Sequence, residues 1–403
     1  MKNSFLTASA VLVLIITLSG CSPNRVDNAF YRGNLERTGT YPDDQIPQGI
    51  LVWQIKSEAA CYSSPVISQG LIFLNCAGGY LYALNDGNGQ QFWVFKRDDA
   101  MGSSPAVSND MVFVGGFHNY VYAVNIKTGS EKWRFKTGDK VLSSPAVSDG
   151  ILYVGSYDGY FYAIDVTTGN EKWKFATKGS KEPISTEAET GPVEGSPGAI
   201  VSSPAISKGV VYFGSSDEYL YALDTNTGKE KWKFKTENDI VTSPAISEGV
   251  IYFGSQDGDF YAIDDTGELK WKFDTKTYAT ISSSPGGTPF FSISSGAVSN
   301  GIVYFSSDFD SYFGRQDYLF AVDTKSGEMK WKNAISKAGY GAPTVSNELV
   351  YFGDEDGFVF AANAETGQNK WVFKADSKVV SDIVVIDSMA YFCSESGYLY
   401  ALR

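Results

Sequence analysis

SSPAVSDGILYVGSYDGYFYAIDVTTGNEKWKF, residues 143–175, decides the fold. It holds four short runs rich in Val, Ile, Phe, Tyr and Trp. Turns of Gly, Asp, Asn and Ser separate them, which is the pattern of four strands joined by hairpins. The stretch recurs as SSPAISKGVVYFGSSDEYLYALDTNTGKEKWKF (202–234) and TSPAISEGVIYFGSQDGDFYAIDDTGELKWKF (242–273). The eight Trp of the 403-residue chain mark the copies: they stand at 53, 93, 133, 173, 232, 271, 331 and 371, with spacings of 40, 40, 40, 59, 39, 60 and 40. A fixed period of this length signals a repeat architecture. One four-stranded sheet cannot bury both its faces alone, and radial stacking of such sheets does so. The sequence therefore predicts an all-β chain, an eight-bladed β-propeller of four-stranded antiparallel blades over residues 47–403.

With strands named A to D from the axis outward, strand A carries Pro65, Pro105, Pro145, Pro204, Pro244 and Pro343 at one place. Proline is tolerated where a strand edge is unpaired, as at a channel-facing edge. Each Trp follows a Gly by four residues (49, 89, 129, 169, 228, 267, 327 and 367), which fits a tight C–D turn needing positive φ. Seven copies add an upstream Ala (83, 123, 163, 222, 262, 321 and 361), small enough to admit a neighbouring indole. The eighth copy is split. The chain ends Tyr400-Ala401-Leu402-Arg403, and the missing Gly-x-x-x-Trp half occurs at Gly49 to Trp53. An N-terminal strand thus joins the C-terminal blade and closes the ring, which removes two open edges.

The full pattern, as in AIDVTTGNEKW (163–173), resembles the tryptophan-docking motif of the PQQ-like (quinoprotein-type) propeller family. The resemblance implies that Trp53, Trp93, Trp133, Trp173, Trp232, Trp271, Trp331 and Trp371 each pack against the adjacent blade. Enzymes of the family hold PQQ between a Trp and a disulfide of adjacent cysteines, beside Ca²⁺ and a catalytic Asp. This chain has no Cys-Cys pair, no CxxCH haem site, and no Trp outside the docking motifs. No cofactor, no metal and no catalysis are expected, with a PQQ-dependent dehydrogenase as the alternative.

Composition narrows the function further. Hydrophobic content of 43% supplies a core, and a net charge of −13 argues against a nucleic-acid partner. The single His, His118, excludes metal sites with two or more His ligands. It falls in a B–C loop and is assigned no role. Asp158, Asp257 and Asp356 recur at one blade position in Asp-Gly turns, and are read as hairpin residues too dispersed for one metal.

Residues 1–21, MKNSFLTASAVLVLIITLSGC, combine a cationic start with an apolar run from Ala8 to Leu18, too short to span a bilayer as a mature helix. The ending Leu18-Ser19-Gly20-Cys21 resembles a bacterial lipobox. Residues 1–20 are expected to be a signal peptide, Cys21 the lipidated residue and 21–46 a polar tether. The destination is then the periplasmic side of an outer membrane where the source has one, and otherwise the extracytoplasmic surface. In that oxidising setting Cys61 and Cys76, at facing strand ends, could form a disulfide. Cys393 could compete, or the thiols could stay free and buried.

Two long spacings reveal insertions on the face of the D–A and B–C loops. They are KGSKEPISTEAETGPVEGSPGA (178–199), then YATISSSPGGTPFFSIS (278–294) with DFDSYFGRQD (308–317). Register at the second is open, because Pro285 or Gly296 could take the repeat's Pro position. Phe290, Phe291, Phe309, Tyr312, Phe313 and Arg315 make these loops candidate partner-binding elements. The same aromatics could instead fold down and plug the channel mouth. The expected function is a lipid-anchored scaffold, a monomeric propeller within a complex, that binds protein partners in the cell envelope. Similarity to the lipoprotein propellers of outer-membrane protein assembly implies a BamA-type barrel as partner. Capture of a polysaccharide or small ligand is a further alternative.

Overall fold

The computed structural model of the chain describes residues 28, 29, 31–41, 46–98, 100, 102–180, 198–278, 290–311, 314, 315, 317–338 and 341–403, with backbone alone at 28, 290, 309–311, 314 and 315. Blade 3 shows how one repeat folds. Its strands are A (Ala146–Ser148), B (Ile151–Gly155), C (Tyr160–Asp165) and D (Glu171–Ala176), paired antiparallel in that order. Strands B and C are buried on both faces and D alternates, because blades stack on either side of B and C while D lines the rim. The described strands form eight such sheets, each following this order.

The Ser-Ser-Pro at the start of strand A has a separate task for each serine. The first ends its own blade: Ser143 Oγ accepts the Gly155 N–H at 3.2 Å. The second joins blades. Ser64 N–H donates to Ser104 Oγ at 3.0 Å, Ser104 to Ser144 at 3.0 Å, Ser144 to Ser203 at 2.9 Å, Ser203 to Ser243 at 3.0 Å and Ser243 to Ser295 at 2.9 Å. This resolves the open register in favour of Gly296, since Ser294 Oγ accepts the Ser306 N–H just as Ser143 accepts Gly155. Blades 7 and 8 depart from the pattern with Ala342 and Asp382. The Asp382 carboxylate accepts the Ala342 N–H at 2.8 Å, and its own N–H donates to Ser64 Oγ at 3.0 Å.

At the rim, each docking indole lies on the turn glycine of the next blade. A Cβ on Gly129 would sit 2.8 Å from the Trp93 ring and one on Gly228 2.6 Å from Trp173, so close approach as well as positive φ requires glycine. The motif alanine is the cross-strand partner of its own Trp, as Ala163 is of Trp173. Trp93 donates its ring N–H to Ile126 O at 2.8 Å, and Trp371 to Pro47 O at 2.7 Å. Trp53 covers Gly89, but its buried N–H has no partner among the described residues. Trp93→Phe should therefore cost about 1 kcal/mol more than Trp53→Phe in denaturant titration, because only the first loses a hydrogen bond. Equal costs would contradict this reading.

The N-terminal strand Leu51–Lys56 pairs with Tyr398–Leu402 and completes blade 8. Cys61 and Cys76 are joined as a disulfide, with Cα atoms 4.0 Å apart. Cys393 is free and buried, and burial pushes its thiol up. Of helical structure, the described residues hold one 3-10 turn, Thr275–Tyr278.

Candidate functional site at the channel

The segment expected to be a polar tether does not stay outside the ring, because its described part threads the central channel. Asn28 and Ala29 pair with Ser108 and Val107 at the A–B end of blade 2. The chain then reaches the D–A mouth at Tyr31 and Arg32 and returns. On the return, backbone carbonyls meet the inner strands of four blades. Leu35 O accepts Ile206 N–H at 2.8 Å, Glu36 O accepts Ile246 N–H at 2.8 Å, Thr38 O accepts Val298 N–H at 2.7 Å and Gly39 O accepts Val345 N–H at 2.8 Å. The physical reason is that strand A leaves one edge unpaired, and buried amides need acceptors. Because its partners lie far away in sequence, this segment shows no strand pattern of its own.

Two arginines fix the segment. Arg32 and Arg37 are 1% and 0% exposed. Arg37 donates to Pro204 O, to Ser144 O at 3.0 Å, to Pro145 O at 3.1 Å and to Tyr31 O at 2.8 Å. Arg32 donates to Gly296 O at 2.7 Å and Pro343 O at 3.3 Å, and pairs with Asp382 at 3.2 Å. The residues at the strand-A proline position thus offer carbonyls to guanidinium groups at the axis. Burial pushes the Asp382 carboxyl up, and the Arg32 guanidinium opposes it. Gly39 completes the packing: a Cβ there would lie 2.4 Å from the Arg32 guanidinium.

Beside this plug, a cavity of about 420 Å³ opens toward the D–A and B–C loops, lined by the inter-blade serines with Asp308, Glu355 and Asp382. One wall belongs to blade 6, whose strand B (Ile302–Ser311) is twice the usual length. Its extension pairs with Phe290–Ile293 on one side and Gly314–Arg315 at the tip. Stretches expected as D–A and B–C loops are thus partly strand. Ile293 is buried against Gly254, and Phe291 is half-buried near Gly258. Phe290 and Phe309 are ladder positions, paired with Asp310 and Phe291, and Arg315 pairs with Asp310. Tyr312, Phe313, Cys21 and most of the first insertion lie outside the described residues. The Asp-Gly turns serve the hairpins, since Asp158 accepts Tyr160 N–H at 2.8 Å and Tyr162 O–H at 2.7 Å. Sequence reasoning missed Arg32, Arg37 and Asp382. The available signal was the replacement of the second serine by Asp382 in the last blade.

The fold recurs in known structures at low identity. BamB from Moraxella catarrhalis superposes with a TM-score of 0.68 and 17% identity, over 88% of this chain and 99% of that one. Quinohemoprotein alcohol dehydrogenase from Comamonas testosteroni gives 0.75 and 16%, over 93% of this chain and 80% of that one. The computationally designed Ika8 protein gives 0.67 and 16%, over 89% and 99%. No curated protein matches by sequence. A family model matches residues 77–195, 191–305 and 287–403, and by these three matches the chain belongs to the PQQ-like propeller family described as outer membrane protein assembly factor BamB.

Proposed function

We propose that the chain is a non-catalytic scaffold of the cell envelope, anchored by lipid at Cys21. Its D–A and B–C face would receive a protein partner in outer-membrane protein assembly, a BamA-type barrel. Family membership supports the setting. The observation that carries the binding face is blade 6, whose paired extension stands above the ring on that face alone among the described blades. Chain path supports the orientation. Asn28 lies at the A–B end of the channel, opposite the face that carries the blade 6 extension. The seven residues from Cys21 to Asn28 reach at most about 25 Å, so an anchor at Cys21 would keep the A–B face toward the membrane and blade 6 away from it.

The likeness to alcohol dehydrogenases raises PQQ, and the residues present do not fit it. The sequence lacks the adjacent cysteines, and its eight Trp belong to docking motifs. The described residues hold no group of three His, Cys, Asp or Glu suited to a metal ion, and the axis carries the chain's own arginines. Adding PQQ and Ca²⁺ to the full chain should yield neither cofactor absorbance nor dye-linked alcohol oxidation, and either signal would reverse this reading.

Phe290→Ser with Phe313→Ser tests the face. The melting temperature should stay that of the parent while crosslinking to the barrel partner in cells falls. Loss of folding would instead favour aromatics that plug the mouth. Glycan binding without a protein partner would favour a ligand-capturing propeller.

A further inference from the structure

The outward positions of strand D divide the rim in two. In blades 2 to 6 the residues on either side of the docking Trp are all Lys or Arg, as Lys132 and Arg134 in blade 2. In blades 7, 8 and 1 four of the six equivalent positions are apolar: Val372, Val52, Phe92 and Val94. These blades are contiguous, since Trp371 covers Gly49 and Trp53 covers Gly89. Val372, Val52 and Phe92 are 49%, 49% and 58% exposed, and Ile50 and Leu51 extend the patch along strand D of blade 8. Scattered surface apolar residues need no explanation, but loss of charge at one repeat position in three neighbouring blades makes a contiguous patch.

We infer that this rim patch is a second docking surface, distinct from the loop face, for a protein segment with an apolar centre and carboxylates at both margins. Charge complementarity selects that occupant. Lys370 and Lys374 border the patch on one side and Lys96 on the other, whereas Arg97 and several lysines of blades 3 to 6 are already paired with carboxylates of their own rim. A second copy of this chain, patch to patch, would set the bordering Lys370, Lys374 and Lys96 of one copy against those of the other. An anionic bilayer would meet the acidic C–D turns of blades 1 and 7, at Asp86 and Glu365. A partner presenting Asp or Glu beside Leu or Phe satisfies both the patch and its border.

Photocrosslinking tests this in the full-length chain in cells, with p-benzoylphenylalanine at position 92. The expected adduct is a different protein whose crosslinked peptide carries Asp or Glu on both sides of apolar residues. Its yield should fall about tenfold when Val52→Lys, Val94→Arg and Val372→Lys restore the charge that other blades carry. Probe at position 233, on blade 4, should not give that adduct. If the triple change unfolds the ring, Val94→Arg alone is used, because blade 2 carries Arg134 at that place. No adduct, a lipid adduct, a second copy of this chain, a basic peptide, or equal yield from position 233 overturns the proposal.

Discussion

A chain lacking Tyr398–Arg403 should lose cooperative unfolding. Those residues form the third strand of blade 8, between Met389–Cys393 and the N-terminal strand Leu51–Lys56. The hairpin is tied at its end by Ile50 N–H to Arg403 O at 2.8 Å and Arg403 N–H to Ile50 O at 2.7 Å. Deletion removes Leu399 and Leu402, both essentially unexposed. Each costs about 2–5 kcal/mol, against a total stability of about 5–15 kcal/mol for a domain. The damage spreads, because Leu51–Lys56 loses its only sheet and Gly49 no longer holds the floor beneath Trp371. Blades 1 and 7 then each expose a face that the eighth blade covered. The expected melt is broad and sloping, with binding of a hydrophobic dye. A truncated chain with the parent's sharp transition would refute closure by the N-terminal strand.

The ring was legible because docking is local and periodic. Trp and Gly four residues apart mark each C–D turn, and the count of Trp gives the count of blades. The split motif at Trp53 and Tyr400 made closure legible too, since a hairpin half has no other place to pair. What stayed hidden was the axis. Residues 31–41 carry no hydrophobic period, and their stability comes from carbonyls meeting strands in four blades and from an ion pair between residues 32 and 382. No local pattern encodes such a contact. Departures inside the repeat did encode it. Asp382 replaces the serine that six other blades use, while Gly341 and Ala342 lack both hydroxyls of the motif. A carboxylate set into a ring of serines near buried prolines calls for a cation at the axis. The blade 6 extension was legible in position but not in form, because Pro and Gly around it read as loop while its pairing partners lie on the far side of strand A.

Arg32→Ala should be the most damaging single change at the axis, by about 3–5 kcal/mol. The side chain is 0% exposed, and Asp382 opposite it is 5% exposed. Truncation leaves a buried carboxylate without its counter-ion, and also frees Gly296 O and Pro343 O. The pH dependence has a definite sign. Burial already pushes the Asp382 carboxyl above its ordinary value with Arg32 opposing, so removing Arg32 raises it further. A group whose folded value lies above its unfolded one favours the protonated folded state. Its contribution is fully present below the unfolded value of about 3.9 and is lost as pH rises through the folded value. The gap between parent and Arg32→Ala in urea titrations should therefore be widest near neutral pH and shrink toward about pH 4. Adding Asp382→Ser to Arg32→Ala removes the stranded charge and restores the hydroxyl that six other blades place there. That double variant should be more stable than Arg32→Ala alone at neutral pH, and should lose the pH-dependent gap. A gap that widens on acidification, or a double variant no better than the single, would mean that Arg32 acts through its carbonyl contacts and not through Asp382.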